Sequence, residues 1–169
     1  MTTIILNDIE KEIALHIAKA RYFSNRKAGV KNKQLPALEY LQPDILGAES
    51  ELAACKMLNI YPEGLFDVSP RSVKNGEDNG DIVYNNKVID VKSTPHPNGR
   101  LLSTTKNNAV NVFILMTGKD GEYVCRGGTT AKELYKEERY GNNNGMFKIP
   151  CYYMLQSELV DYKKLLDIA

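Results

Sequence analysis

The sequence predicts an α/β protein in which a mixed sheet is flanked by helices. Apolar residues at helical spacing, with capping residues at the ends, indicate helices over 7–25, 44–60, 129–138 and 156–167. Stretches rich in β-branched and aromatic residues indicate strands near 65–68, a hairpin over 81–92, and strands over 110–117, 122–126 and 146–152. Helices before, between and after strands are typical of a sheet with covered faces.

Composition predicts a single domain. The 169 residues are 43% hydrophobic and 25% charged, which suffices for one ordinary core, with an N-terminal helix and basic loop over 1–43 and the remaining core over 44–169. No apolar run approaches the ~20 residues that span a membrane, and no secretory signal pattern is present, so no membrane contact is expected. Cys55, Cys125 and Cys151 lack the spacing of a zinc site or a disulfide framework, which favours a cytoplasmic protein.

The hairpin carries the most informative polar residues. Asn85-Asn86 suits a two-residue primed turn, and the register that follows pairs Asp81 with Asp90. Because side chains alternate along a strand, both carboxylates and Lys92 are expected on one face, with the two Asp β-carbons about 5 Å apart. Such a pair is destabilising unless a cation lies between the carboxylates, so the hairpin predicts a divalent-metal site. The alternative is a solvated face with hydrated carboxylates.

The helix over 44–60 adds a third carboxylate. On a helical wheel Glu51 falls within the apolar side, whereas Glu49 lies on the opposite, polar side. A buried glutamate needs a cation, a hydrogen-bond network or a raised pKa. We therefore expect Glu51 to contribute to a site and Glu49 to be a surface residue.

These residues give the chain its resemblance to a known family. Gly47-Ala48-Glu49-Ser50-Glu51-Leu52-Ala53, then Gly80-Asp81-Ile82, Ile89-Asp90-Val91-Lys92-Ser93-Thr94 and Val112-Phe113-Ile114-Leu115-Met116 resemble the PD-(D/E)xK nuclease superfamily. The likeness is to its small phage-type nucleases and Holliday junction resolvases, and Gly80 replaces the proline that precedes the first aspartate. The resemblance implies a restriction-endonuclease-like core with an added N-terminal helix.

The resemblance also implies a reaction and a cofactor. Glu51, Asp81 and Asp90 would bind Mg²⁺, or alternatively Mn²⁺, with the Val91 carbonyl completing the site and Lys92 beside the attacking water. Mg²⁺ prefers oxygen ligands and keeps several waters, so two or three carboxylates suffice. A metal so held polarises the phosphoryl oxygen and lowers the pKa of a bound water. Whether one or two ions bind stays open.

Positive charge is concentrated in one segment although the net charge is only +1. Between Ile17 and Leu38 there is no acidic residue, and the basic residues are Lys19, Arg21, Arg26, Lys27, Lys31 and Lys33. Beside a phosphodiesterase site such residues are expected to contact DNA phosphates, and we assign that role to Arg21, Arg26, Lys27 and Lys31, with Lys106 in a separate polar loop. The alternative is a solvated helix end followed by a connector.

The sequence therefore favours a metal-dependent DNA endonuclease that acts on duplex or branched DNA. An exonuclease of the same fold and a catalytically inactive nucleic-acid-binding protein are the alternatives. Cutting two strands at related positions is simplest for a symmetric homodimer. The first helix offers an apolar stripe of Ile9, Ile13 and Ile17 for that contact, although the same stripe can pack within its own domain.

Overall fold

Two sheets form the framework of the described part of the protein. A computed structural model of the chain describes residues 2–29, 41–70, 80–143 and 145–168. The strands in these residues are β1 (Thr2–Ile5), β2 (Ile82–Tyr84), β3 (Lys87–Thr94), β4 (Leu101–Ser103), β5 (Val112–Lys119), β6 (Glu122–Thr130), β7 (Tyr140–Gly141) and β8 (Cys151–Met154). The larger sheet has the order β1-β6-β5-β3-β2, and the smaller has the order β4-β8-β7. Within the larger sheet β3 and β5 run parallel and the other neighbours run antiparallel, so the predicted mixed sheet is confirmed.

Local turn chemistry fixes the β2–β3 hairpin. Asn85 and Asn86 adopt φ angles of 48° and 59°, the left-handed values that a two-residue primed turn requires. Ile82 pairs with Ile89, Val83 with Val88 and Tyr84 with Lys87, which is the register predicted for these three pairs.

The helices within the described residues are α1 (Asp8–Lys27), α2 (Gln42–Leu58), α3 (Ala131–Leu134) and α4 (Tyr162–Leu165). Asn7 caps α1 through a capping box with Glu10, and Asn59 ends α2 in the left-handed conformation. The helices expected over 129–138 and 156–167 are only one turn long. The apolar residues of α3 and α4 pack against the sheets within one turn each, so a longer amphipathic helix is not required to bury them.

The two faces of the larger sheet have different cover. One face packs against α1, α2 and α4, through a core that includes Ile17, Leu52, Ile89, Ile114 and Leu166. The other face packs against α3 and the smaller sheet through a core that includes Leu101, Phe113, Leu115, Leu134 and Met154. The α/β class is thus confirmed, but helices dominate only one face.

Short elements account for the other differences from prediction. The strand expected near 65–68 is a 3-10 turn, Glu63–Phe66, and β4 lies in a segment expected to be loop. β1 was not predicted; it has four residues, and its order comes from pairing with the distant β6. Among the described helices, none is long and apolar enough to cross a membrane.

Glu49 is buried, so the prediction that it is a surface residue is wrong. The residue is only 6% exposed, and its Oε2 accepts hydrogen bonds from Tyr123 Oη at 2.7 Å and from the Gly121 amide at 3.1 Å. The helical wheel predicts a solvated face for α2 on the side of Glu49. However, α2 lies between the sheet and α1, and every residue from Ala48 to Cys55 is therefore buried. Burial and the neighbouring Glu49 carboxylate raise the pKa of Tyr123.

A conservative change at Glu49 should therefore destabilise the fold. Glu49→Gln keeps the shape but removes a charge-assisted acceptor and adds a buried amide, so we expect the free energy of unfolding to fall by about 1–3 kcal/mol. Urea denaturation measures this, with Glu12→Gln on the exposed side of α1 as the matched control, expected within about ±0.5 kcal/mol. Equal effects of the two changes would contradict the structural role of Glu49.

Candidate functional site

β3 brings Asp90 and Lys92 to the same face of the larger sheet. Asp90 is 6% exposed, and its Oδ2 lies 2.7 Å from Lys92 Nζ. Lys92 Nζ also lies 5.8 Å from the centre of the Phe113 ring, on the side of the smaller sheet. The alternation of side chains turns Val91 toward the helices instead. The predicted common face of Asp90 and Lys92 is confirmed.

Asp81 does not pair with Asp90 across the hairpin as expected. It lies just before β2, donates its amide to the Ile89 carbonyl at 2.8 Å, and accepts the Val91 amide on Oδ2 at 2.6 Å. Regular pairing therefore ends at Ile82–Ile89, and the Asp81 carboxylate caps a backbone amide of β3.

The backbone turns immediately before Asp81, at Gly80. Its φ of +72° is left-handed, and a Cβ at this position would collide with Val88 Cγ1. A proline, with φ fixed near −65°, cannot adopt this conformation. The backbone here thus requires glycine at the position where the superfamily has proline.

Glu51 is buried, as predicted, and its partner is Arg21. Glu51 is 4% exposed, and its Oε1 accepts a hydrogen bond from Arg21 Nη1 at 2.8 Å. Oε2 lies 2.8 Å from Arg21 Nη2, but the groups are not aligned as a hydrogen bond, so this buried oxygen accepts none. The pair joins α1 to α2 across 30 residues of sequence.

The carboxylates of the three elements influence one another electrostatically. Burial, and then the negative charges of Glu51 and Asp90, raise the pKa of Asp81 well above its ordinary value, against the opposing effects of Lys92 and the Val91 amide. Burial, Glu51 and Asp81 likewise raise the pKa of Cys55 to about 12, so this thiol stays protonated at neutral pH. We define Glu51, Asp81, Asp90, Lys92 and Arg21 as the charged cluster.

The 3-10 turn Glu63–Phe66 supports the charged cluster from outside. The Leu65 carbonyl accepts a hydrogen bond from Arg21 Nη2 at 3.2 Å. Gly64 packs so closely on the Asp81 carbonyl that a Cβ would collide with it. The sequence does not reveal this support, because the contacts are to residues 17 and 44 positions away. The closeness of Pro62 and Gly64 signals only a turn.

Gly64→Ala should therefore affect the position of Asp81 more than it affects the stability of the fold. The added methyl must push the turn away from the Asp81 backbone. If Asp81 belongs to the predicted nuclease site, a displacement of about 1 Å there is expected to lower the cleavage rate ~100-fold. Cleavage assays and thermal melts on the same sample measure both effects. Gly47→Ala is the control, because its Cβ would meet only Glu51 Oε1, at 3.9 Å. A rate equal to wild type in Gly64→Ala would contradict the positioning role.

The donor set of the charged cluster suits a hard divalent cation. It offers carboxylate oxygens, which such a cation prefers, and one of them, Glu51 Oε2, is buried without a hydrogen bond. Burial and the negative charges of Glu51 and Asp90 also raise the pKa of Asp81. Val91, assigned a carbonyl ligand by the resemblance, donates its amide to Asp81. Within the described ranges, no three acidic, His or Cys side chains are close enough as they stand to hold one ion. Arg21 holds Glu51, and Lys92 holds Asp90.

The predicted DNA-contacting residues differ in their surroundings. The Arg21 side chain is only 14% exposed, so an open phosphate contact does not fit its position. Arg26 stacks 5.1 Å from the Tyr22 ring, and Lys27 is exposed in the last turn of α1. Lys106 is exposed, with Nζ 5.5 Å from the Tyr152 ring. Lys31 and Lys33 lie outside the described residues.

The apolar stripe of α1 changes from buried to exposed along the helix. Ile17 is 7% exposed and packs in the helical core, whereas Ile13 and Ile9 are 39% and 73% exposed. Ile9 and Ile13 line a shallow groove together with Phe66. Packing within the domain thus accounts for Ile17, and the homodimer stays a prediction.

Comparison with known proteins adds no family assignment. No family model, no curated protein and no solved structure matches the chain. The resemblance to the PD-(D/E)xK superfamily therefore rests on the sequence motifs quoted above, and the superfamily assignment stays a prediction.

Proposed function

We propose that the protein is a metal-dependent nuclease that hydrolyses phosphodiester bonds in DNA, as a phage-type endonuclease acting on duplex or branched substrates. The observation that carries the proposal is the position of Asp81, before β2, whose carboxylate accepts the Val91 amide of β3 and is influenced electrostatically by Glu51 of α2 and by Asp90 and Lys92 of β3. A carboxylate whose pKa is raised by burial and by two other carboxylates opposes folding when it is ionised, and a function that requires it explains its presence.

Each residue has a distinct role in this proposal. Glu51, Asp81 and Asp90 would hold Mg²⁺, which would supply Lewis-acid stabilisation of charge on the phosphate. Lys92, 32% exposed and adjacent to Asp90, orients the attacking water and stabilises the negative charge that develops on the phosphoryl oxygens. Arg26, Lys27 and Lys106 contribute contacts to the DNA backbone that carry no sequence preference.

A cleavage assay tests the proposal. The purified protein is incubated with Mg²⁺ and with linear duplex, circular duplex, single-stranded and four-way-junction DNA. We expect cleavage of duplex or junction DNA, no cleavage in EDTA, and no cleavage by Asp90→Asn, which keeps the size of the side chain while removing its charge. Cleavage by Asp90→Asn equal to that of wild type, from matched preparations, rules out this site as the source of the activity.

A second candidate is a DNA-binding protein without catalytic activity. The observation in its favour is that Arg21 and Lys92 already neutralise Glu51 and Asp90 by direct ion pairs. Such a protein would bind DNA equally well with and without Mg²⁺, and Asp90→Asn would not change its affinity. Gel-shift titrations in EDTA and in Mg²⁺, run on the substrates of the cleavage assay, separate the two candidates.

A further inference from the structure

We infer that Arg21 is a positioning residue that holds Glu51 in the site in the absence of metal and releases it when a divalent cation binds. The inference rests on the proposed function, since it assumes that Glu51 is a metal ligand. It replaces the expectation that Arg21 is a surface contact to DNA. It also gives a role to a buried cation that the nuclease motif itself does not contain.

The surroundings of Arg21 support an internal counter-ion. Arg21 follows Ile17 by one helical turn on the side of α1 that packs against α2, and its side chain is 14% exposed. Its guanidinium makes two contacts of 2.8 Å to the carboxylate of Glu51, which is itself buried. An isolated buried carboxylate costs several kcal/mol, so some cation must accompany Glu51 in the folded protein. Without a metal, Arg21 is that cation.

The pairing is also incomplete in a way that allows exchange. Only Nη1 donates a well-aligned hydrogen bond to Glu51, and Oε2 is left without one. A fully satisfied arginine–carboxylate pair would have two parallel hydrogen bonds. Glu51 Oε2 is therefore held by the 2.8 Å charge contact to Nη2 alone, which a divalent cation can replace.

Arg21 retains partners after Glu51 is released. Nη2 already donates to the Leu65 carbonyl at 3.2 Å. Burial lowers the pKa of the guanidinium, but Glu51 raises it, and the negative charges of Asp81 and Asp67 add to that effect. Asp67 is exposed just beyond the 3-10 turn Glu63–Phe66, so a guanidinium that moves toward it remains paired and gains contact with water. The exchange therefore leaves no buried charge unpaired.

Metal and Arg21 then compete for Glu51, and removal of the arginine should tighten metal binding. Mn²⁺ is the probe, and the free ion is measured by its electron paramagnetic resonance signal during titration of the whole protein. We expect Arg21→Gln to bind Mn²⁺ more tightly than wild type by on the order of tenfold, a usual size for coupling between competing ligands. Arg21→Lys keeps one charge but loses the planar fork, and we expect an intermediate affinity.

Two further variants make the result specific. Lys19→Gln removes one positive charge from an exposed position of the same helix and should leave Mn²⁺ affinity within twofold of wild type. Glu51→Gln should weaken Mn²⁺ binding at least tenfold. A merely structural ion pair predicts the opposite for Arg21→Gln, because loss of a structural partner loosens the site and weakens metal binding.

The outcomes separate this inference from the proposed function. If Glu51→Gln binds Mn²⁺ as wild type does, Glu51 is not a ligand and the metal site itself is overturned. If Glu51→Gln weakens binding while Arg21→Gln and Arg21→Lys bind no more tightly than wild type, only the exchange is overturned. Should Arg21→Gln not fold, Arg21→Lys decides alone, since tighter binding supports the exchange and unchanged or weaker binding refutes it.

Discussion

Lys92→Met should lower the turnover of DNA cleavage by about 10²- to 10⁴-fold while Mn²⁺ affinity stays the same or rises. A positioned lysine that orients water and stabilises transition-state charge is typically worth that factor. Its removal also deletes a positive charge whose Nζ lies 2.7 Å from Asp90, so the carboxylate becomes a better ligand. Single-turnover kinetics and the Mn²⁺ titration measure the two effects separately.

The control for this change is Lys119→Met. Lys119 ends β5, its side chain is 70% exposed, and its 3.7 Å contact to Asp120 is a weak surface pair. We expect turnover and metal affinity equal to wild type. If Lys92→Met lost metal affinity in proportion to turnover, Lys92 would be a structural support of the site rather than a catalytic residue.

Asp81→Asn should stabilise the metal-free protein at neutral pH and abolish its stabilisation by Mn²⁺. Burial and two carboxylates raise the pKa of Asp81, so ionisation of this group opposes folding. Asparagine removes the charge and retains the oxygen that accepts the Val91 amide at 2.6 Å. The same change removes a ligand, so saturating Mn²⁺ should raise the melting temperature of wild type but not of the variant.

The effect of Asp81 on stability has a defined pH dependence. Because the pKa of Asp81 is higher in the folded than in the unfolded protein, the penalty is absent below the unfolded pKa, at about pH 4, grows as pH rises above it, and is complete once pH has passed the folded pKa. Thermal melts in EDTA at pH 4, 5.5, 7 and 8 should show equal melting temperatures at pH 4 and a widening advantage for Asp81→Asn above it. A difference independent of pH would contradict the cause assigned to the raised pKa.

The parts of the structure that the sequence predicts well are those set by neighbouring residues. Asn85-Asn86 fixes the hairpin turn, and strand alternation from that turn brings Asp90 and Lys92 to one face. The burial of Glu51 also follows from its position among apolar residues of α2. These inferences need only the geometry of one hairpin and one helix.

The parts of the structure that the sequence does not predict depend on packing between distant segments. The wheel misplaced Glu49 because α2 is covered on two sides, by the sheet and by α1. Asp81 leaves the ladder next to the left-handed backbone at Gly80, and Asn85-Asn86 carries no information about that end of the hairpin. Arg21 was read as part of a basic surface, since its pairing with Glu51 depends on how α1 crosses α2. Charge spacing along the chain does not encode that crossing.

The central claim is that Glu51, Asp81 and Asp90 share one divalent cation, and anomalous diffraction from crystals grown with Mn²⁺ tests it most directly. We predict an anomalous peak in contact with all three carboxylates, at roughly 2.1–2.3 Å from the ligating oxygens, with Arg21 no longer paired to Glu51. A site without a peak at saturating Mn²⁺, with Arg21 still bound to Glu51 and Lys92 to Asp90, would contradict the account.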